Sequence, residues 1–300
     1  LFARAAAEVI ADQVGCGVDI PTDGEVRREN YIHYHCRNFN GIDFENLTQI
    51  VVRDGAANLE LPTIVAAIEA KPDHFLPHDF KVAQACTDRP VKVTIPGPIT
   101  IADTTADAFY HDKPKLCRDL ATAVNYEVRA LSDAGCRYIQ IDEPLFARKP
   151  EDALSFGIEN LERCFHGIGK HTTAVMHMCC GYPNYLDEEG FQKADAEIYL
   201  RLANALDDSL VQQISIEDAH RHNNLTLLDS FQNTSIIFGS FTIANSRVES
   251  VEEIRERLQA ALEHIDPERL IAAPDCGLGL LGRELAILKL QNMCTAAKSF

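Results

Sequence analysis

The feature that most limits what this chain can fold into is a repeated alternation of short apolar, β-like runs with longer helical stretches, with no Pro/Gly/Ser-rich linker between them. Seven runs read as strands, at 17–25, 91–100, 136–144, 172–179, 211–217, 235–243 and 270–278. Helical periods fill 2–15, 114–134, 151–169, 187–207 and 250–264, with Ser250 placed as an N-cap, and a last helix ends the chain. Strands that alternate with helices must pair in parallel, because each helix is the crossover to the next strand.

Two architectures satisfy that pattern, an open doubly wound sheet and a closed barrel. The strand ends favour the barrel. They carry Asp23/Glu25, Asp142/Glu143, His177/Cys179, Glu217/Asp218 and Asp275/Cys276, polar groups that a closed sheet would gather on one rim. The expected fold is a single (β/α)8 TIM barrel over residues 1–300. Its first strand is expected upstream, since the chain starts at Leu1 without Met and already in a helical pattern. Residues 26–90 are less regular: an aromatic, His-rich stretch, a hairpin near 48–61 and a short helix around 63–70 are expected there.

Charge and cysteine content exclude several classes. A formal charge of −17 argues against a nucleic-acid partner, which needs clustered Lys and Arg. No run approaches the ~20 apolar residues of a membrane span, and no signal peptide is visible. Ten cysteines are scattered without a CxxC pair in a chain too long to need disulfide staples. Most of them, including Cys16, Cys86, Cys117, Cys136 and Cys164, lie in apolar surroundings and read as buried reduced thiols, which implies a cytoplasmic setting.

Three fragments fit one metal ion: His177-Met178-Cys179, Glu217 and Cys276, each at the downstream end of an apolar run. Zinc takes imidazole, thiolate and carboxylate in a tetrahedral set. His177 and Cys179 are two apart, so both can face one side of a strand end. Glu217 is the strongest of the four signals, because a carboxylate after a buried strand needs a partner or a metal. Cys180 should point away. Asp142 in IQIDEP and Glu25 in PTDGE suit an ammonium group of a substrate, and capping of the following helix is the alternative for Asp142. His33, His35, His220 and His222 flank these regions. Gly277, Gly279 and Gly282 match GxGxxG, but no acidic residue follows about 20 positions later, so the loop reads as a βα turn.

Taken in order, DGE, GPIT, IQIDEP, HMC, IE and PDCGL resemble the catalytic barrel of the cobalamin-independent methionine synthase family, over essentially the whole chain. The resemblance implies zinc held by His177, Cys179, Glu217 and Cys276, with Glu25 and Asp142 on the amino group of a homocysteine-like thiol. Three departures stand out. There is no room for the second barrel of the two-domain synthases. The stretch after GPIT is IADTT, with Thr104 where the family has a folate-stacking Trp, and the chain contains no Trp. The family's IHSPN segment, with its proton-donor His, is Ile243-Ala244-Asn245-Ser246 here.

The expected activity is therefore zinc-dependent methyl transfer to a small thiol, giving methionine or a related thioether. The methyl donor is expected to be a folate, a methylated corrinoid protein or a small methylated compound, and the departures at Thr104 and Ala244 favour one other than methyltetrahydrofolate. A second expectation is thiol alkyl transfer of the epoxide:coenzyme M transferase type, with His220 or His222 assisting the leaving alkoxide. A third is a non-catalytic zinc barrel. Packing of the outer helices into a homo-oligomer is compatible with all three.

Overall fold

The computed structural model describes residues 1–52 and 57–300. A six-stranded parallel sheet forms its centre, in the order β3 (Lys92–Pro96), β5 (Tyr138–Asp142), β6 (Thr173–Met178), β7 (Gln213–Ile216), β8 (Ser235–Gly239) and β9 (Leu270–Ala273). Thr22 adds a single parallel bridge to Lys92 at the β3 edge, which is all the sheet structure in the expected strand 17–25. Pro21 explains this brevity. It has no backbone N–H to donate, although its carbonyl accepts from Lys92 at 2.9 Å.

Helices cover the sheet: α1 (Phe2–Cys16), α4 (Pro98–Asp103), α5 (Lys113–Asp133), α8 (Ile158–Phe165), α9 (Ile198–Asp207), α10 (Val251–Ala261) and α11 (Arg283–Ala297) are the main ones. Short helices α2 (His33–Cys36), α3 (Leu76–Gln84), α6 (Pro144–Arg148) and α7 (Pro150–Asp152) fill the connections, and a π-helical turn (Ala153–Gly157) joins α7 to α8. Ser250 does cap α10, in a capping box with Glu253. The sheet is strongly curled. Its first and last flanking helices meet, as Arg283 on α11 forms a bidentate ion pair with Asp12 on α1 and the Cys16 thiol donates to the Ile287 carbonyl.

A second sheet is built from β1 (Phe39–Val52), β2 (Ala57–Ala70) and β4 (Ala106–Asp107). The hairpin expected near 48–61 is present, its tip lying outside the described residues. The helix expected over 63–70 is instead strand. Ile64 and Ile68 are both buried at helical spacing, but the spacing comes from a register shift: Asn40 pairs Glu69 while Ile42 pairs Ile64, so extra β2 residues are accommodated there. Gly41 makes this possible, with φ of 92° and an Ala67 carbonyl oxygen 2.5 Å from where a Cβ would stand.

Residues 187–197 were also expected to be helical, yet α9 begins only at Ile198. The preceding stretch is an irregular strap with left-handed turns at Asp187 and Gly190. Among the described residues the cysteines are free and no helix is long and apolar enough to cross a membrane. Cys86, expected to be buried, is exposed at the end of α3.

Candidate metal centre

His177 lies in β6, and its register partners are Asp142 on β5 and Ser215 on β7. Residues paired across a parallel sheet point the same way, so the three side chains share the interior face. The Ser215 hydroxyl bonds His177 Nδ1 at 2.9 Å, which turns Nε2 to within 3.3 Å of Cys276 Sγ. Ligand atoms of His177, Cys179 and Cys276 all lie within 4.8 Å of one another. The curl of the sheet is what brings a β9 loop to the end of β6. Buried Tyr199 on α9 secures the same region: its hydroxyl donates to the Met178 carbonyl and accepts from the Glu217 amide, both at 2.9 Å.

Glu217 follows β7 and is 1% exposed. Its Oε1 accepts from Cys179 Sγ at 3.2 Å and from the Cys180 amide at 3.3 Å, while Oε2 accepts from Lys193 Nζ at 2.6 Å. Glu217 thus stands against the cluster but outside the group of three. Cys180 is buried and likewise outside it.

The donor set suits zinc. The Cys276 hydrogen bond, then burial, push the Cys179 thiol well above its ordinary value. Burial opposes charge on His177, but Cys179, Asp142 and Glu217 leave its pKa raised. A bound divalent cation would reverse the cysteine shift, because coordination deprotonates a thiol outright. The Ser215 bond fixes the orientation of the imidazole, as a hydrogen bond to the second ring nitrogen does for metal-binding histidines.

Asp142 is 9% exposed and accepts from Gln140 Nε2 at 2.7 Å, and Gln140 Oε1 in turn accepts from Lys92 Nζ at 2.6 Å. Burial raises the Asp142 pKa. Glu25 has φ of 56°, an uncommon backbone state for a non-glycine residue, and its Oε1 accepts from Thr94 Oγ1 at 2.6 Å and from buried Arg28 at 2.9 Å. Tyr31 lies close enough to these groups and to Cys276 to feel their charges. Burial, then Asp142, Glu143, Cys276 and Glu25, push its hydroxyl far above its usual range.

No side-chain bond caps α6, the helix after Asp142, and the neighbouring Glu143 caps α4 instead. Glu143 is buried and accepts from Ile99 N at 2.9 Å, Thr100 N at 3.0 Å and Thr100 Oγ1 at 2.8 Å, closing the N-terminus of α4 in GPIT. Burial raises its carboxyl to about 7 against those bonds. A Cβ on Gly97 would meet the Glu143 carboxyl carbon at 2.3 Å. Gly97→Ala should therefore lower stability by about 3 kcal/mol, since the carboxylate cannot move without orphaning three donors. An unchanged melting temperature would show that the cap has slack.

The two candidate proton donors separate. The His220 amide donates to Asp275 Oδ2 at 2.8 Å, its ring packs on Phe191 with centroids 5.1 Å apart, and its buried Nδ1 stands 3.8 Å from Asp275 Oδ2 with no hydrogen-bond partner among the described residues. His222 is exposed, with φ of 50°. Asp275 accepts from the amides of Asp218, Ala219 and His220, so it organises this turn, and burial raises its pKa to about 8. His33 and His35 both lie in α2, where His33 Nε2 reaches the Thr104 carbonyl at 3.3 Å. The glycine-rich loop is the βα turn before α11, with Gly282 as its N-cap.

Ser215, Gln140 and Lys193 were not singled out in the sequence, and Glu143 was read only as a strand-end acid. Ser215 and Gln140 sit two residues before Glu217 and Asp142, so the period of a strand would have placed them on the same face. Lys193 lies in an irregular strap and carries no such signal.

A curled parallel sheet that collects imidazole and thiol groups at its strand ends defines an α/β protein with a His/Cys/Cys group that could hold a metal ion. Residues 1–299 match the family model described as cobalamin-independent synthase, catalytic domain. The chain belongs to this methionine synthase family of methyltransferases. It is 32% identical to a methionine synthase of Saccharolobus solfataricus over 99% of this chain and 83% of that one. Identity to a methionine synthase of Thermococcus kodakarensis is 33%, over 96% and 80%. Among solved structures, a B12-independent methionine synthase from Shewanella sp. W3-18-1 in complex with selenomethionine superposes with a TM-score of 0.89 at 27% identity, covering 99% of this chain and 87% of that one.

Proposed function

We propose that this chain is a zinc-dependent methyltransferase acting on a small aminothiol of the homocysteine type, built as one closed (β/α)8 barrel. The observation that carries the proposal is the convergence of His177, Cys179 and Cys276 within 4.8 Å, with Asp142 next to His177 in strand register. Meeting of α1 and α11 supports closure. The similar Shewanella enzyme was captured with selenomethionine, which has the shape of a methylated homocysteine product.

His177, Cys179 and Cys276 would hold the metal, with Glu217, whose Oε1 lies 3.2 Å from Cys179 Sγ, as the fourth ligand. Zinc, when bound there, would lower the thiol pKa and supply an electron-rich sulfur at neutral pH. Asp142 and Glu25 receive the substrate ammonium and so orient the sulfur. Gln140 and Lys92 keep the Asp142 carboxylate in place. The thiol proton leaves, a carbon–sulfur bond forms, and the donor departs with the electron pair of its broken bond to methyl. A cysteine-rich site of this kind suits a reducing, cytoplasmic compartment.

Two local features support a donor other than methyltetrahydrofolate. Thr104 ends α4 with its hydroxyl turned back on the Thr100 carbonyl at 2.8 Å, so no aromatic platform stands at that position. The loop at Ala244 and Ser246 is occupied by the strap, since Asp187 N donates to the Ala244 carbonyl and Ser246 N to Asp187 Oδ1, both at 2.7 Å. Purified protein should methylate homocysteine from a methylated corrinoid protein or methylcobalamin, and at most weakly from methyltetrahydrofolate. Ordinary enzymatic rates with methyltetrahydrofolate would overturn the donor assignment.

A further inference from the structure

The two acids assigned to the substrate ammonium are each held by one oxygen only. Glu25 Oε1 is taken by Thr94 and Arg28, and Asp142 Oδ1 by Gln140. Asp142 Oδ2 has no hydrogen bond among the described residues, yet it is not one of the sealed orphan atoms, so it stays open to an incoming donor. What fixes Asp142 lies further back. The Lys92 ammonium donates to Gln140 Oε1 at 2.6 Å, and Gln140 Nε2 donates to Asp142 Oδ1 at 2.7 Å. Lys92 makes no direct ion pair among the described residues, so its grip on Asp142 passes through the amide. Its own position is firm, because its backbone N–H donates to the Pro21 carbonyl at 2.9 Å and it forms the bridge with Thr22.

An amide between two such groups has two orientations with opposite effects. An ammonium carries donors and no acceptor, so it must take the amide oxygen, which leaves the NH2 end for Asp142. Turned round, the amide oxygen would face a carboxylate oxygen, and two acceptors would repel. Burial opposes charge on Lys92 while Asp142 favours it, in keeping with a cation kept there for the carboxylate. We propose that Lys92 is a positioning residue for recognition of the substrate amino group, acting through the Gln140 amide to aim the free oxygen of Asp142. The inference rests on the aminothiol reading above, and it gives Lys92 an effect on ligand choice without touching the ligand.

The test is calorimetric binding of L-methionine and of its deamino analogue, the same thioether and carboxylate without the amino group, which requires neither turnover nor a methyl donor. Wild type should prefer methionine. Lys92→Met and Gln140→Met should each weaken methionine binding about tenfold and leave the analogue within about twofold. The double variant should also lose about tenfold rather than about 100-fold, since both residues act through one chain of bonds. Should Lys92→Met fail to fold, Lys92→Gln takes its place; its neutral amide can present either end to Gln140, so the same selective loss is expected. Equal losses for the two ligands would mean a merely structural role. An unchanged preference, or additive losses in the double variant, would likewise overturn the proposal and leave the aminothiol reading standing. A wild type that binds both ligands equally, or neither, would overturn that reading and the proposal with it.

Discussion

Cys276→Ser should empty the metal centre and reduce methyl transfer about a thousandfold, equivalent to about 4 kcal/mol of transition-state stabilisation. Serine nearly preserves the shape of cysteine, but its hydroxyl does not ionise near neutral pH and is a poor partner for a borderline-soft cation. Cys276 is only partly buried, so its own packing is worth little, and the metal-free variant should melt within about 1 kcal/mol of metal-free wild type. Elemental analysis should find about one zinc per chain in wild type and a small fraction of that in the variant. Cys180→Ser is the matched control, since Cys180 is adjacent to Cys179 yet outside the group of three. Full zinc and full activity in Cys276→Ser would sink the thiolate mechanism.

Asp142→Asn should raise KM for an aminothiol about 100-fold while leaving kcat largely intact, a loss of about 3 kcal/mol in binding an ammonium. Asparagine fits the same space and can still accept the Gln140 amide, so the change removes charge rather than structure. The discriminating comparison is a thiol of the same length without the amino group, whose poor KM should not worsen. If both thiols lost affinity equally, Asp142 would be acting on the metal cluster through His177, whose charge it also favours.

Much of this arrangement was legible beforehand, and the reasons are local. A carboxylate or imidazole that ends an otherwise apolar strand is costly to bury, so Asp142, His177 and Glu217 announce a site even in isolation. Strand period adds their neighbours: Gln140 and Ser215 are two residues upstream on the same face. The helix expected at 63–70 failed for the opposite reason. Residues Thr63 to Ala70 carry helical spacing of apolar side chains, but pairing with β1 and the register shift at Gly41 override it. The strap over 181–197 was equally hidden, because its conformation is set by ties to residues far along the chain.

The sequence alone determined the alternation of strands and helices, the parallel sheet that follows from it, and the identity of the side chains at the strand ends. Those are consequences of hydrophobic period and burial cost, both readable within about ten residues. Only the tertiary structure decided which of these side chains meet. Curl of the sheet sets Cys276 against His177 across 99 positions of sequence, and the strap sets Lys193 against Glu217 across 24. Distances between such groups depend on how whole layers pack, and no local pattern encodes that.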